Sequence, residues 1–350
     1  MVKSEKIKLG ISIGDFNGIG IEIILKTFLD KRMLDFCTPI IFGSAKLISA
    51  YKKEININIP FNGIKSIDKA IHGKLNILNL WKEDVELKLG SPTETSGKYA
   101  FTSLEAATNS LSKNEIDVLV TAPINKDTIQ SEAFKFPGHT EYLESKINGE
   151  SLMILMTDKL RIGLITGHIP ISQVSKAITG DLIKNKVAIL YQTLIQDFGV
   201  SKPKIAVLGL NPHCGDKGVI GEEDENIIRP TISEIQNEGK LVYGPYAADS
   251  FFGSENYKNF DAILAMYHDQ GLAPFKTLSF GEGVNYTAGV EKVRTSPDHG
   301  TAYELAGKGQ ANINSFKEAV FNGIQIFKTR KEYKSLTENT LKKARPVKKQ

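Results

Sequence analysis

The 350-residue chain is long for one hydrophobic core and comfortable for two. Its 41% hydrophobic and 24% charged residues match an ordinary globular protein, and no apolar run approaches the ~20 residues that cross a bilayer. The net charge of +4 is concentrated: residues 328–350 hold nine Lys/Arg and two Asp/Glu, which leaves the body with 35 basic and 38 acidic residues and argues against a basic face for nucleic acid. The first residues, "MVKSEKIKLGISIG", lack the apolar core of a signal peptide. Cys37 and Cys214 cannot build a disulfide framework, so a reducing cytoplasm is the expected compartment.

In chain order, apolar runs predict strands at residues 8–13, 40–42, 118–121, 161–166, 204–210 and 262–266. "GDFNGIG", Gly14–Gly20, follows the first of these and precedes a helix at 21–28. It does not satisfy G-x-G-x-x-G, and no G-x-x-x-x-G-K-[ST] occurs. A tight turn and a ligand-facing loop both stay open for it. A helix is expected over 181–198, with Ile183, Val187, Leu190, Leu194 and Phe198 on one stripe and Gly199 as its stop. A second runs over 222–238 and ends at Gly239. "VRTSPDHGTAYELAGKGQAN", residues 293–312, shows no strong strand pattern and reads as a long loop of the functional kind. A third helix starts at Ser315 with a Ser315/Glu318 capping box ahead of Val320, Ile324 and Phe327. Residues 328–350 read as a solvated, frayed C-terminus. The alternation of strands and helices predicts an α/β fold.

Four predicted strands end in polar clusters: "DVLVTAPINK", "RIGLITGHIP", "KIAVLGLNPHCG" and "DAILAMYHDQG". Ligands of open α/β sheets bind beyond the carboxyl ends of strands, so these would bring Asn125, Lys126, His168, Asn211, His213, His268 and Asp269 towards one rim. His168, His213 and His268 are either satisfied polar strand ends or a three-imidazole site with an open position, which suits a catalytic divalent metal and zinc above all. His139 and Thr140 of "PGHTEYL", with Lys276, Asn285 and Arg294, suit a phosphate or carboxylate.

The set "GDFNGIGIE", "TAPINK", "GHTEYL", "LNPHCGDKGVIGEED", "YHDQGLAPFK" and "VRTSPDHGTAYELAGKG" resembles the 4-hydroxythreonine-4-phosphate dehydrogenase family, in order from about Gly10 to Phe327. The resemblance implies an α/β/α architecture of two domains, similar to isocitrate and isopropylmalate dehydrogenases, with the active site in the interdomain cleft. Its expected domains are residues 1–127 plus 290–350, bearing a nucleotide loop, and residues 128–289, bearing the metal and the dimer contact. It implies NAD or NADP against His299, Gly300, Thr301, Ala302 and Asn312, and a divalent metal, zinc before magnesium or cobalt, on His168, His213 and His268. His139, Thr140, Lys276, Asn285 and Arg294 would bind substrate. Asp269 would act as base or, preferably, orient an imidazole. The implied chemistry is NAD-dependent oxidation of 4-(phosphooxy)-L-threonine and decarboxylation to 3-amino-2-oxopropyl phosphate, for pyridoxal phosphate biosynthesis. A 4-phosphoerythronate or threonate dehydrogenase and a phosphate acyltransferase are the alternatives. A homodimer is implied, with the active site near the subunit interface, so the three histidines need not belong to one chain. Phe16, Asn17 and Ile21 depart from the family's usual GDPAGIGPE, and Cys214 stands where Ala is common.

Overall fold

The computed structural model describes residues 6–279 and 281–339. Among these residues, β1 (Lys8–Ser12), β2 (Thr38–Gly43), β3 (Phe61–Ile64), β4 (Leu75–Asn79), β5 (Val118–Thr121) and β6 (Gly149–Met156) lead into β7 (Arg161–Leu164), β8 (Lys204–Leu208), β9 (Leu241–Tyr246), β10 (Ala262–Ala265), β11 (Val284–Val290) and β12 (Val293–Pro297). They form one sheet in the order β3-β4-β2-β1-β5-β12-β11-β6-β7-β10-β8-β9. Strands from residues 1–127, together with β12, fill one side of this order, and β6–β11 fill the other. Helices pack on the sheet, and none is long and apolar enough to cross a membrane.

β2, β5 and β10 are buried along their whole length, as parallel strands covered on both faces must be, which is why their sequences are continuous apolar runs. β11 runs antiparallel to both β12 and β6, and β6 runs antiparallel to β7. Three reversals leave the two parallel blocks pointing in opposite senses. The four polar strand ends therefore do not share one carboxyl rim, as the sequence led us to expect. A sheet twists by roughly 20° per strand pair, so the steps from β5 to β10 turn the strand direction by about 100° and swing these ends towards one another across the middle.

The helix at Gly180–Gln196 buries Ile183, Val187, Leu190 and Leu194, takes its cap from Thr179 and stops before Gly199 at φ +68°. Three expectations change. Residues 222–238 split into a π-helical turn, Asp224–Ile228, and the helix Arg229–Asn237. The first five residues of the supposed loop at 293–312 are β12, a strand in the middle of the sheet; its polar residues disguised it. The helix Asn314–Thr337 has no side-chain cap, because the Ser315 hydroxyl is used elsewhere: it donates to Gly283 O at 2.6 Å and accepts from Asp298 N at 3.1 Å.

That helix also corrects the frayed C-terminus, since it continues to Thr337; residues 340–350 of the basic tail lie outside the described residues. Arg330 is buried, with Nε 2.6 Å from Asp197 Oδ1 and Nη2 2.8 Å from Oδ2, and Tyr286 OH donates to the same carboxylate at 2.6 Å. Nη1 donates to Val290 O and Glu291 O. Both charges are desolvated and fully partnered, so the pair fastens the last helix, β11 and the end of the helix Gly180–Gln196 together. Arg330→Met should cost about 3–5 kcal/mol in urea unfolding, because it strands the Asp197 charge, and Asp197→Asn on that background should recover part of it. A loss below about 1 kcal/mol would mean the pair behaves like a surface ion pair.

Candidate active site

A cleft of about 500 Å³ opens over the central strands. β5 ends at Thr121, and the chain turns through Pro123 to Lys126 on the cleft wall. Asn125 Oδ1 holds this turn by accepting from Asp127 N and Thr128 N. The helix His139–Lys146 starts over the cleft, so His139, Thr140 and Glu141 all face it from one first turn. β7 and β10 lie side by side, and their ends are stapled. Thr166 Oγ1 donates to Met266 O at 2.7 Å, while Gln270 accepts from Met266 N and donates to Gly209 O. These bonds explain much of the polarity after the strands: they place His168 and His268, whose ring centres lie 5.5 Å apart.

Both rings are oriented through Nδ1. His168 Nδ1 is 2.8 Å from Glu141 Oε1, and His268 Nδ1 is 2.6 Å from Asp269 Oδ1. An Nδ1–H given to a carboxylate leaves the Nε2 lone pair free, which is the arrangement metal-bound imidazoles use. Burial pushes the Glu141 carboxyl up most, but the bond with His168, a backbone N–H and the charges of His168 and Lys126 together hold it below its ordinary range. The donor chemistry of this pair fits a divalent ion. Among the described residues no group of three His, Cys, Asp or Glu side chains converges, and His213 does not line the cleft. His213 is exposed on the turn after β8, where residues 213–218 all have positive φ. Asp224, buried, holds that turn through Leu210 N, Asn211 N and Asn211 Nδ2.

The opposite wall is cationic. Arg294, 1% exposed on β12, donates from Nε and Nη2 to Thr121 Oγ1 and from Nη1 to Thr287 Oγ1. Among the described residues it has no carboxylate partner at bonding distance; burial pushes its guanidinium down to about 9, with Glu141 the charge that pulls it back up. It is still a cation at neutral pH. Burial, then the positive charges of Arg294 and Lys126, push the His139 imidazole well below its ordinary range, so it is neutral. Lys276 reaches the cleft and donates to Asp298 O at 3.1 Å. His139 Nε2, Glu141 Oε2, Asn285 Oδ1 and His299 Nε2 are buried without a hydrogen-bond partner among the described residues. Buried polar atoms are seldom left unpaired, so this cluster marks a place for a polar ligand.

The cleft thus gathers His139, Thr140, His168, His268, Asp269, Lys276, Asn285, Arg294, His299 and Gly300. Thr301, Ala302 and Asn312 lie further along the loop and do not line it. Sequence reading missed Glu141 and Thr121. Glu141 lies two residues after His139, but its partner is 27 residues away, and only the fold reveals the pairing.

The chain is similar to known proteins over nearly its whole length. Residues 35–322 match the family model described as "Pyridoxal phosphate biosynthetic protein PdxA". A 4-hydroxythreonine-4-phosphate dehydrogenase of Bacteroides thetaiotaomicron is 49% identical over 344 residues, covering 98% of this chain and 94% of that one. A putative D-threonate 4-phosphate dehydrogenase of Oceanobacillus iheyensis is 35% identical, covering 93% of this chain and all of that one. The crystal structure of a 4-hydroxythreonine-4-phosphate dehydrogenase from Burkholderia phymatum superposes with a TM-score of 0.75 at 32% identity, over 92% of this chain and 99% of that one. On its sequence and its fold, the chain belongs to the PdxA family of pyridoxal phosphate biosynthetic proteins.

Proposed function

We propose that this chain oxidises 4-(phosphooxy)-L-threonine at its C3 hydroxyl with NAD and releases carbon dioxide to give 3-amino-2-oxopropyl phosphate. The family is one of NAD-dependent dehydrogenases, which sets aside phosphate acyl transfer. The observation that carries the substrate reading is Arg294: a buried guanidinium with only hydroxyl partners needs an anion to complete it. Lys276, Asn285, His139 and Thr140 border the same space, so the phosphate and carboxylate bind at this wall.

His168 and His268 would hold the metal, zinc by donor type, with magnesium or cobalt as substitutes. The ion, when bound, supplies Lewis-acid polarisation of the reacting oxygen, and NAD supplies the hydride acceptor. Glu141 and Asp269 keep each imidazole in the tautomer that presents Nε2. Asp269 orients rather than accepts the substrate proton, since its Oδ1 is occupied by His268. Arg294 and Lys276 anchor the charged ends and leave the C3 hydroxyl between them and the imidazole pair. In balance, the C3 hydrogen leaves as hydride to NAD, the hydroxyl proton goes to solvent, and the β-keto acid loses carbon dioxide as its C–C bonding pair passes to C2, which then takes up a proton from solvent.

His213 completes the set from a second copy of the chain, in a cytoplasmic homodimer. It is exposed on a turn whose neighbours Val219 and Ile220 are 81% and 43% exposed, and Ile169 and Ile171 beside His168 are exposed too. The nucleotide lies against residues 299–312, and the two sides of the sheet order act as two domains, residues 1–127 plus 290–350 and residues 128–289. The relative named for D-threonate 4-phosphate keeps the corresponding hydroxy acid as a second substrate reading, because the anion wall serves both.

A panel following NADH formation tests the substrate. Faster turnover of the amino acid than of D-threonate 4-phosphate is expected, and the reverse order favours the second reading. Arg294→Met should lower kcat/KM by at least about thirtyfold, the low end of the ~2–5 kcal/mol lost with one partner of a buried charge pair. Its Tm should hold or rise, because the empty site buries that charge unpaired. An unchanged kcat/KM would remove Arg294 from the site. For the metal, His168→Ala, His213→Ala and His268→Ala should each lose bound metal by elemental analysis and lose turnover. Mixing His168→Ala with His213→Ala chains should restore up to about a quarter of the activity if the third imidazole crosses the dimer, since mixed dimers then carry one intact site. No recovery after subunit exchange would contradict the crossed arrangement.

A further inference from the structure

The motif "GDFNGIGIE" lies outside the substrate cleft, yet it is almost wholly buried. Beside bonds to residues 88–96, Tyr51 and Pro123, a set of its contacts runs to the loop at residues 299–312. Ile19 N donates to Thr301 O at 3.0 Å. Tyr303 OH donates to Asp15 Oδ2 at 2.9 Å, an oxygen that Ser96 Oγ also approaches at 2.8 Å, while Asp15 Oδ1 accepts from Asn17 N. Glu22, fully buried, accepts from Ala311 N at 2.9 Å through Oε1 and pairs with Lys26 Nζ at 2.7 Å. Lys26 Nζ in turn donates to Gly309 O at 2.7 Å and Ala311 O at 3.4 Å. The approach is close: a Cβ on Gly18 would sit 2.6 Å from Thr301 O.

The loop does little to hold itself. Its only regular element is a 3-10 turn, Tyr303–Leu305, and Ala302 adopts φ +42°. A non-glycine residue there costs energy that surrounding contacts must supply. Those contacts come from the other end of the chain, 280 or more residues away in sequence for Asp15–Tyr303, Glu22–Ala311 and Lys26–Gly309.

We propose that Asp15, Glu22 and Lys26 are positioning residues for the cofactor: they clamp the 299–312 loop in its nucleotide-binding shape and touch neither substrate nor nucleotide. The motif that resembles a nucleotide loop thus acts on the nucleotide through a second loop. This inference rests on the reading of residues 299–312 as the NAD loop.

The test uses the full-length, metal-loaded enzyme and separates the two Michaelis constants. Glu22→Gln and Tyr303→Phe should raise KM for NAD about tenfold, equal to about 1.4 kcal/mol, with kcat and KM for the phosphorylated substrate within about twofold. Tyr303→Phe keeps the ring and removes only the hydroxyl, so it carries the test if Glu22→Gln does not fold. Glu22→Asp, which keeps the charge, should recover part of the NAD affinity. Asn312→Ala, a change in the loop itself, distinguishes the two readings. If Asn312→Ala weakens NAD and Glu22→Gln and Tyr303→Phe, which break the contacts between motif and loop, do not, the clamp is overturned and the NAD loop stands. If none of the variants changes KM for NAD, the NAD loop falls and the clamp with it. Equal changes in both Michaelis constants, or a fall in Tm alone, would show that the motif merely supports the fold.

Discussion

A buried guanidinium to which no carboxylate is bonded among the described residues sits at the centre of this molecule, and much of the architecture is arranged around that cost. Arg294 projects from β12, flanked by β5 and β11. Each neighbour gives it one threonine hydroxyl, Thr121 from β5 and Thr287 from β11. Hydroxyls satisfy its N–H groups but do not neutralise it, and an isolated charge in a protein interior is expensive. Under the proposed function, a ligand anion would complete the balance. The antiparallel pair β6–β11 is what makes the position possible, since it delivers Thr287 and Asn285 to the middle of an otherwise parallel sheet.

Glu141 ties the cationic wall to the imidazole pair. One oxygen holds His168, the other is buried without a partner, and its charge is what favours the charged form of Arg294. The Arg294 charge and the orientation of His168 are therefore linked through one side chain. The remaining order is mechanical. Thr166 and Gln270 lock the ends of β7 and β10, and the Asp197–Arg330–Tyr286 network locks β11 against two helices. A cleft formed where two oppositely directed blocks meet needs such fastening, because its walls come from distant parts of the chain.

The sequence disclosed β1, β2, β5, β7, β8 and β10 as apolar runs, but not β4, β6 or β11, which are largely buried as well. β5 was legible to the residue, because a fully buried parallel strand is an uninterrupted apolar run. β12 was hidden because Arg294, Thr295 and Ser296 are polar residues in a buried strand: Arg294 and Ser296 line the cleft, and the Thr295 hydroxyl donates to Ala319 O. β3 and β9 were missed at the sheet edges, where half-exposed residues carry no clear period. Arg330 looked like one more charge in a basic tail; its partners, Asp197 and Tyr286, are 133 and 44 residues away. Ten of the fourteen anticipated site residues line the cleft. His213 does not, because its turn faces outward from the single chain.

The central claim is that the unpaired charge of Arg294 is completed by the substrate's phosphate. The most direct test is a crystal structure of the metal-loaded enzyme with 4-(phosphooxy)-L-threonine, in which the phosphorus is located by its own density. A phosphate oxygen should lie within about 3 Å of the Arg294 guanidinium, with Lys276 or Asn285 as a second donor. A phosphate bound elsewhere, with the guanidinium still held only by Thr121 and Thr287, would contradict it.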